Sequence, residues 1–172
     1  MLKKFRSLNH VQIIAELYMQ HEFEVDGEKI RISDSGYKFK WDERPVNRFG
    51  QCRYNRKEIG LSVKPTEVNL KDHAWKIQDT ILHEIAHAIE RLMYGTSGHG
   101  LTWRRIAKQI GCDGKRTYDE SKINSVRTKW TLRCPVCGDE ISRVRRPKRS
   151  QSCGRCSSTY NPKYKLEIIQ NY

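Results

Sequence analysis

His83 and His87 stand four residues apart with a glutamate beside the first of them, in the run His83-Glu84-Ile85-Ala86-His87. On a helix, positions i and i+4 lie one turn apart on one face, so both imidazoles can reach a single ion. Neutral imidazole is a good zinc donor, at about 2.0–2.1 Å. Glu84 can reach a water activated by the ion without itself binding the metal. Zinc lowers the pKa of such a water toward about 7, and Glu84 can then take its proton as general base and return it to a leaving amine. Two surface histidines on an amphipathic helix would share the spacing. Ile81, Leu82, Ile85 and Ala86 argue against that, because they make the helix largely buried. Burying His, Glu and His without a partner is expensive.

A catalytic zinc site needs a third protein ligand and an open position for water. The metzincin pattern asks for a glycine and then a histidine at positions held here by Glu90 and Met93, so the chain is not a metzincin. The next histidine is His99, in Gly98-His99-Gly100, where the glycines let the backbone turn the side chain back over the helix. His99 is the expected third ligand. Glu90 is the fallback, badly placed to complete a tetrahedron because it shares the rigid helix with His87.

Four of the six cysteines form two CxxC pairs, Cys134/Cys137 and Cys153/Cys156, with fifteen residues between the pairs. That spacing matches a four-cysteine zinc ribbon, closed and therefore structural. A module of this size cannot bury enough apolar surface alone, and a metal supplies the missing folding energy. The expected cofactors are thus two zinc ions, one catalytic and one structural. Cys52 and Cys112 read as buried small hydrophobes.

These groups need elements to position them. Ser7 caps a first helix to about His21, and Glu24 to Glu28 reads as a turn. Lys29–Ser33, Tyr37–Trp41, Cys52–Tyr54 and Glu58–Val63 read as short strands of a small antiparallel sheet, with Pro45–Gly50 as loop. The main helix starts near Trp75 to Asp79 and runs to Tyr94, with Gly95 as its stop. Another helix spans Leu101 to Ile110. Residues 112–125 are polar, which places a boundary between a domain at 1–125 and a module at 126–172.

Residues 1–100 carry a charge of about +2, and residues 101–172 about +11. A lopsided basic region points to a polyanion, most often nucleic acid. Arg143, Arg145, Arg146, Lys148 and Arg149 lie between the two cysteine pairs, where Pro147 suggests a loop at the ribbon tip. They give a salt-dependent grip on phosphate. Trp130, Tyr160 and Tyr164 can stack on unpaired bases, although Trp130 reads first as packing in a very small core. No apolar run suits a membrane helix and no signal-peptide core follows the basic start, so an intracellular protein is expected.

The HExxH helix, the Gly98-His99-Gly100 loop and Trp103 opening another helix resemble the SprT-like metalloproteases, which include bacterial SprT and eukaryotic Spartan. Trp41 and the run Gly50-Gln51-Cys52-Arg53-Tyr54 to Glu58-Ile59-Gly60-Leu61-Ser62 are also similar to that family. The resemblance spans about residues 5–156. It implies an α+β zincin-like domain followed by a zinc ribbon, with His83, His87 and His99 on zinc and Glu84 as catalytic acid/base. It also implies cleavage of DNA-bound or DNA-crosslinked proteins with DNA as activator. Single-stranded or junction DNA, read without sequence specificity by a monomer, is the expected partner. The compartment expected is cytoplasm or nucleoid, a nucleus or a virus-infected cell being the alternatives. Nothing in these residues matches the long regulatory tail of Spartan-like members, so ubiquitin or clamp binding is not implied. Tyr118 and Arg116 are candidate transition-state stabilisers without further support. The rival expectation is a non-catalytic, zinc-containing nucleic-acid-binding or transcription-associated protein.

Overall fold

The computed structural model describes residues 4–44, 48–117 and 123–172; Tyr118 and residues 45–47 of the expected loop lie outside them. Contacts divide the chain into two units, Met1–Val126 and Arg127–Tyr172.

In the first unit, α1 (Leu8–Gln20) begins where Ser7 Oγ accepts the His10 N–H at 3.2 Å, an N-cap bond that satisfies a free helix donor. It buries Val11, Ala15 and Met19, one residue per turn. β1 (Phe23–Val25) and β2 (Glu28–Ile30) pair antiparallel, joined by Asp26 and Gly27 at φ 52° and 84°. Two positive φ values are what a tight hairpin turn demands. Glu24 to Glu28, expected as a turn alone, is therefore most of a hairpin. The strand expected to continue to Ser33 stops at Ile30, and a 3-10 turn covers Ile32–Ser35.

β3 (Lys38–Asp42), β4 (Gly50–Arg53) and β5 (Glu58–Ser62) form a sheet in the order β3-β5-β4. β4 and β5 are antiparallel neighbours, but β3 runs parallel to β5, with Phe39 opposite Ile59 and Trp41 opposite Leu61. The expected antiparallel sheet is thus corrected to a mixed one. Alternation tells which residues share a face; it does not tell which neighbour a strand takes. Gly50, expected in the loop, opens β4. A short helix, α2 (Val63–Glu67), follows β5 directly and takes up Val63, expected as the end of a strand. Pro65 fits there because the first helical turn has no partners for its N–H groups.

α3 (Ala74–Tyr94) runs through the middle of this unit, touching α1, β4, β5 and α4 (Leu101–Gln109). Ile77, Ile81, Ile85 and Ile89 on it are fully buried, and so are most of its polar residues up to Glu90. Gly95 ends it at φ 67°, its N–H bonded to Arg91 O at 3.1 Å. α4 buries Trp103, Ile106 and Ala107. Among the described residues, no helix is long and apolar enough to cross a membrane.

The second unit is a three-stranded antiparallel sheet in the order β7-β6-β8, from β6 (Trp130–Arg133), β7 (Glu140–Arg143) and β8 (Glu167–Gln170). Its core is Leu132, Cys134, Cys153 and Leu166, with Ile141, Cys156 and Tyr164 packed against it. Trp130 lies outside that cluster, which corrects its reading as core. The α+β class and the C-terminal four-cysteine module stand.

Candidate metal centres and their surroundings

α3 presents His83 and His87 on one face, and the loop before α4 brings His99 to them. His99 Nε2 lies 3.0 Å from His83 Nε2 and 3.1 Å from His87 Nε2. Burial first, and then the neighbouring imidazoles, push His83 down to about 4 and His87 to about 3. Burial, followed by the Arg116 guanidinium, also holds His99 below the usual imidazole value. Near neutral pH, His83 and His87 are therefore uncharged, the form that ligates metal. Three imidazole nitrogens gathered this closely repel one another wherever lone pairs meet, and a cation among them removes the conflict. Tetrahedral ligands at the usual zinc–nitrogen distance sit about 3.3 Å apart, close to what is seen. The donor set fits a metal ion.

One indole backs all three rings. Trp103 is fully buried, and its ring centroid lies 4.6 Å from His83, 5.2 Å from His87 and 4.6 Å from His99. The stack on His87 is near-parallel, at 28°. Packing of this kind fixes ring orientation before any ion binds. Glu90, the fallback ligand, is not part of the cluster; its Oε1 accepts the Thr96 hydroxyl at 3.2 Å and so ties the His99 loop to α3.

Glu84 is buried, 7% exposed, and burial pushes its carboxyl up to about 8 against the opposing pull of the Cys52 N–H and nearby cations. The Cys52 N–H comes from β4, whose backbone approaches α3 closely at Gly50. A methyl at Gly50 would stand 2.8 Å from Glu84 Oε1 and from Thr80 Cγ2, and 2.9 Å from Glu84 Cγ. The carboxylate tip can swing aside, but the Thr80 methyl and Glu84 Cγ are held by the helix. Gly50→Ala is expected to force β4 and α3 apart, costing about 1–3 kcal/mol in denaturant unfolding. An unchanged unfolding midpoint would show that this contact has slack.

The four cysteines of the second unit converge in the same way. Cys134 and Cys156 Sγ are 3.9 Å apart, and Cys137 and Cys153 Sγ 3.6 Å. Tetrahedral thiolates on zinc sit about 3.8 Å apart, so this donor set fits as well. Each CxxC pair closes a tight turn, with Gly138 N–H bonded to Cys134 O and Ser157 N–H to Cys153 O. The Cys137 N–H points at Cys134 Sγ and holds that thiol down at about 7, favouring the thiolate.

Arg143 ends β7 and is half-buried; Arg145, Arg146, Lys148 and Arg149 follow it, all exposed. Arg146 lies over the Trp130 ring at 5.6 Å. Tyr164 belongs to the ribbon core, whereas Tyr160 is exposed. Sequence reasoning did not find the common contact of Trp103 with the three rings or the Cys52 N–H on Glu84. Neither leaves a local pattern, because each joins segments far apart in the chain.

The model of the SprT-like family matches residues 14–128. The chain belongs to the SprT-like family. This makes the first unit of the SprT-like protein a domain of the zinc-metallopeptidase kind, with the histidine cluster inside the matched residues. The protein is also similar to the germ cell nuclear acidic protein of Drosophila melanogaster, with 25% identity over 158 residues. The match covers 90% of this chain and 15% of that one, so the chain spans only a small part of the length of that relative. No solved structure matches it.

Proposed function

We propose that this SprT-like protein is a zinc-dependent peptidase that cuts proteins bound or crosslinked to DNA. The observation that carries the reading is the meeting of His83, His87 and His99 at one point beside the buried carboxyl of Glu84. Zinc held by the three imidazoles would supply Lewis acidity at the peptide carbonyl. Glu84 takes a proton from the attacking water and delivers it to the leaving nitrogen. Trp103 and the Glu90–Thr96 bond keep the three imidazoles in place. The Cys52 N–H keeps the Glu84 carboxyl turned toward β4.

The second unit, folded around a structural zinc on Cys134, Cys137, Cys153 and Cys156, holds DNA through Arg143, Arg145, Arg146, Lys148 and Arg149. Phosphate contacts of this kind grip without reading sequence. Trp130 under Arg146 offers a face for an unpaired base, which favours single-stranded or junction DNA. A nuclear or nucleoid location suits such a substrate, and the name of the Drosophila relative supports the nucleus. The protein works as a monomer in this reading.

The test is cleavage of a basic DNA-binding protein, with and without single-stranded DNA and with and without a chelator. Cleavage that needs the metal, rises with DNA and falls with salt is expected. No cleavage from fully zinc-loaded protein would favour a non-catalytic, nucleic-acid-binding role.

A further inference from the structure

A cavity of about 240 Å³ opens directly beside the candidate catalytic group, bounded by Arg48, Phe49, His83, Glu84, Lys115 and Arg116. Its cations come from three separate stretches of chain, one of them α3, whose buried Lys76 also lines the wall with its ammonium 3.3 Å from Asp79. Arg48 lies just before β4, and Lys115 and Arg116 follow α4. All three are exposed, and none forms an ion pair among the described residues. Among the described residues the single carboxyl on the wall is Glu84, and the described residues give the cavity an excess of positive charge.

The stretch after α4 is held in place from within the core. Asp79, buried on α3, accepts the Asp113 N–H at 2.9 Å, and Asp113 accepts the Lys115 N–H at 2.8 Å. The other Asp79 oxygen lies 3.3 Å from Lys76 Nζ. Asp79, Cys112 and Asp113 stand close enough together to suggest a third metal group. These bonds already employ the Asp79 carboxylate, and they make it an anchor for the backbone that carries Lys115 and Arg116.

We infer that this cavity is a subsite for an acidic side chain, Asp or Glu, flanking the scissile bond of a protein substrate. The subsite presupposes the peptidase reading, since it is defined by its position beside Glu84 and His83. A carboxylate entering it meets the three exposed cations Arg48, Lys115 and Arg116, and Phe49 offers an apolar wall for the methylenes. The uncharged isostere Gln forgoes the charge-assisted bonds, which are about twice as strong as neutral ones. The volume lies below the ~300–1,000 Å³ of pockets that enclose small-molecule ligands. It suits one side chain.

The test uses the full chain loaded with zinc and short fluorescent peptide hydroxamates, whose hydroxamate ligates the metal and is not cleaved. Two probes differ only in the side chain beside the hydroxamate, Glu or Gln, and both chain directions are made. In one direction the Glu probe is expected to bind at least about ten-fold tighter. In the double variant Arg48→Gln/Arg116→Gln that ratio is expected to fall toward one. Equal binding of the two probes to the wild type, in both directions, would overturn the subsite and leave the peptidase reading intact. Failure of every probe to bind would overturn the metal reading and the subsite with it. A Glu preference that survives in the double variant would also sink the assignment, by placing the selectivity elsewhere. So would displacement of the Glu probe, but not the Gln probe, by a short oligonucleotide, because the cations would then be serving phosphate.

Discussion

Glu84→Gln is expected to abolish cleavage while the protein stays folded and keeps its histidine-bound metal. Gln fills the same space and can still accept the Cys52 N–H, so the β4–α3 contact at Gly50 survives. The carboxyl lies outside the cluster of His83, His87 and His99, so metal content should not change. Only the capacity to take and return a proton is lost. General-base catalysis contributes about 10²–10⁴-fold, and kcat/KM should fall by at least that factor. The variant should unfold no more easily than the wild type, because an amide is cheaper to bury than an ionisable carboxyl. The measurement pairs kcat/KM on a DNA-bound protein substrate with zinc content per chain. Full activity in the variant would be decisive for the non-catalytic alternative, since a structural zinc has no use for a base beside it.

The helix that carries this chemistry was legible because its signals are local. Its histidine spacing, its apolar residues at helical intervals and Gly95 as its stop all lie within about twenty residues. The two CxxC pairs were legible for a similar reason, since the spacing of ligands around one ion is short and fixed. The order of the sheet was not legible. β3 pairs with β5 across the intervening β4, and alternation along Tyr37, Phe39 and Trp41 is satisfied equally by a parallel or an antiparallel neighbour. Trp130 misled for another reason. An aromatic in a small module reads as core, yet here the thiols of Cys134 and Cys153 occupy the centre and the indole is left beneath Arg146. The cationic cavity was beyond reach, because Arg48 and Arg116 stand far apart in sequence and only the fold brings them to one wall.

The composition of the ribbon core also determines what losing one thiolate should do. Two of its four buried side chains, Cys134 and Cys153, are candidate metal ligands, and only Leu132 and Leu166 remain as ordinary apolar core. Such a cluster cannot offset the chain entropy of a module this size, and the ion must do so. Structural zinc contributes about 10–16 kcal/mol in small zinc modules, more than any rearranged apolar packing here can replace. Cys153→Ser is therefore expected to unfold residues 127–172, with loss of amide dispersion and rapid proteolysis in that stretch. Zinc content should fall by one ion per chain. The core of the first unit is built from residues between Phe5 and Cys112, so that unit should keep its unfolding transition. Without a folded ribbon, Arg143 to Arg149 become an unstructured basic segment. The charge survives, but the fixed geometry and the stacking face of Trp130 do not. Affinity for single-stranded DNA should drop at least about ten-fold, with part of the salt dependence retained because the cations remain. Unchanged affinity in Cys153→Ser would remove the folded ribbon from DNA recognition and leave charge alone as the explanation.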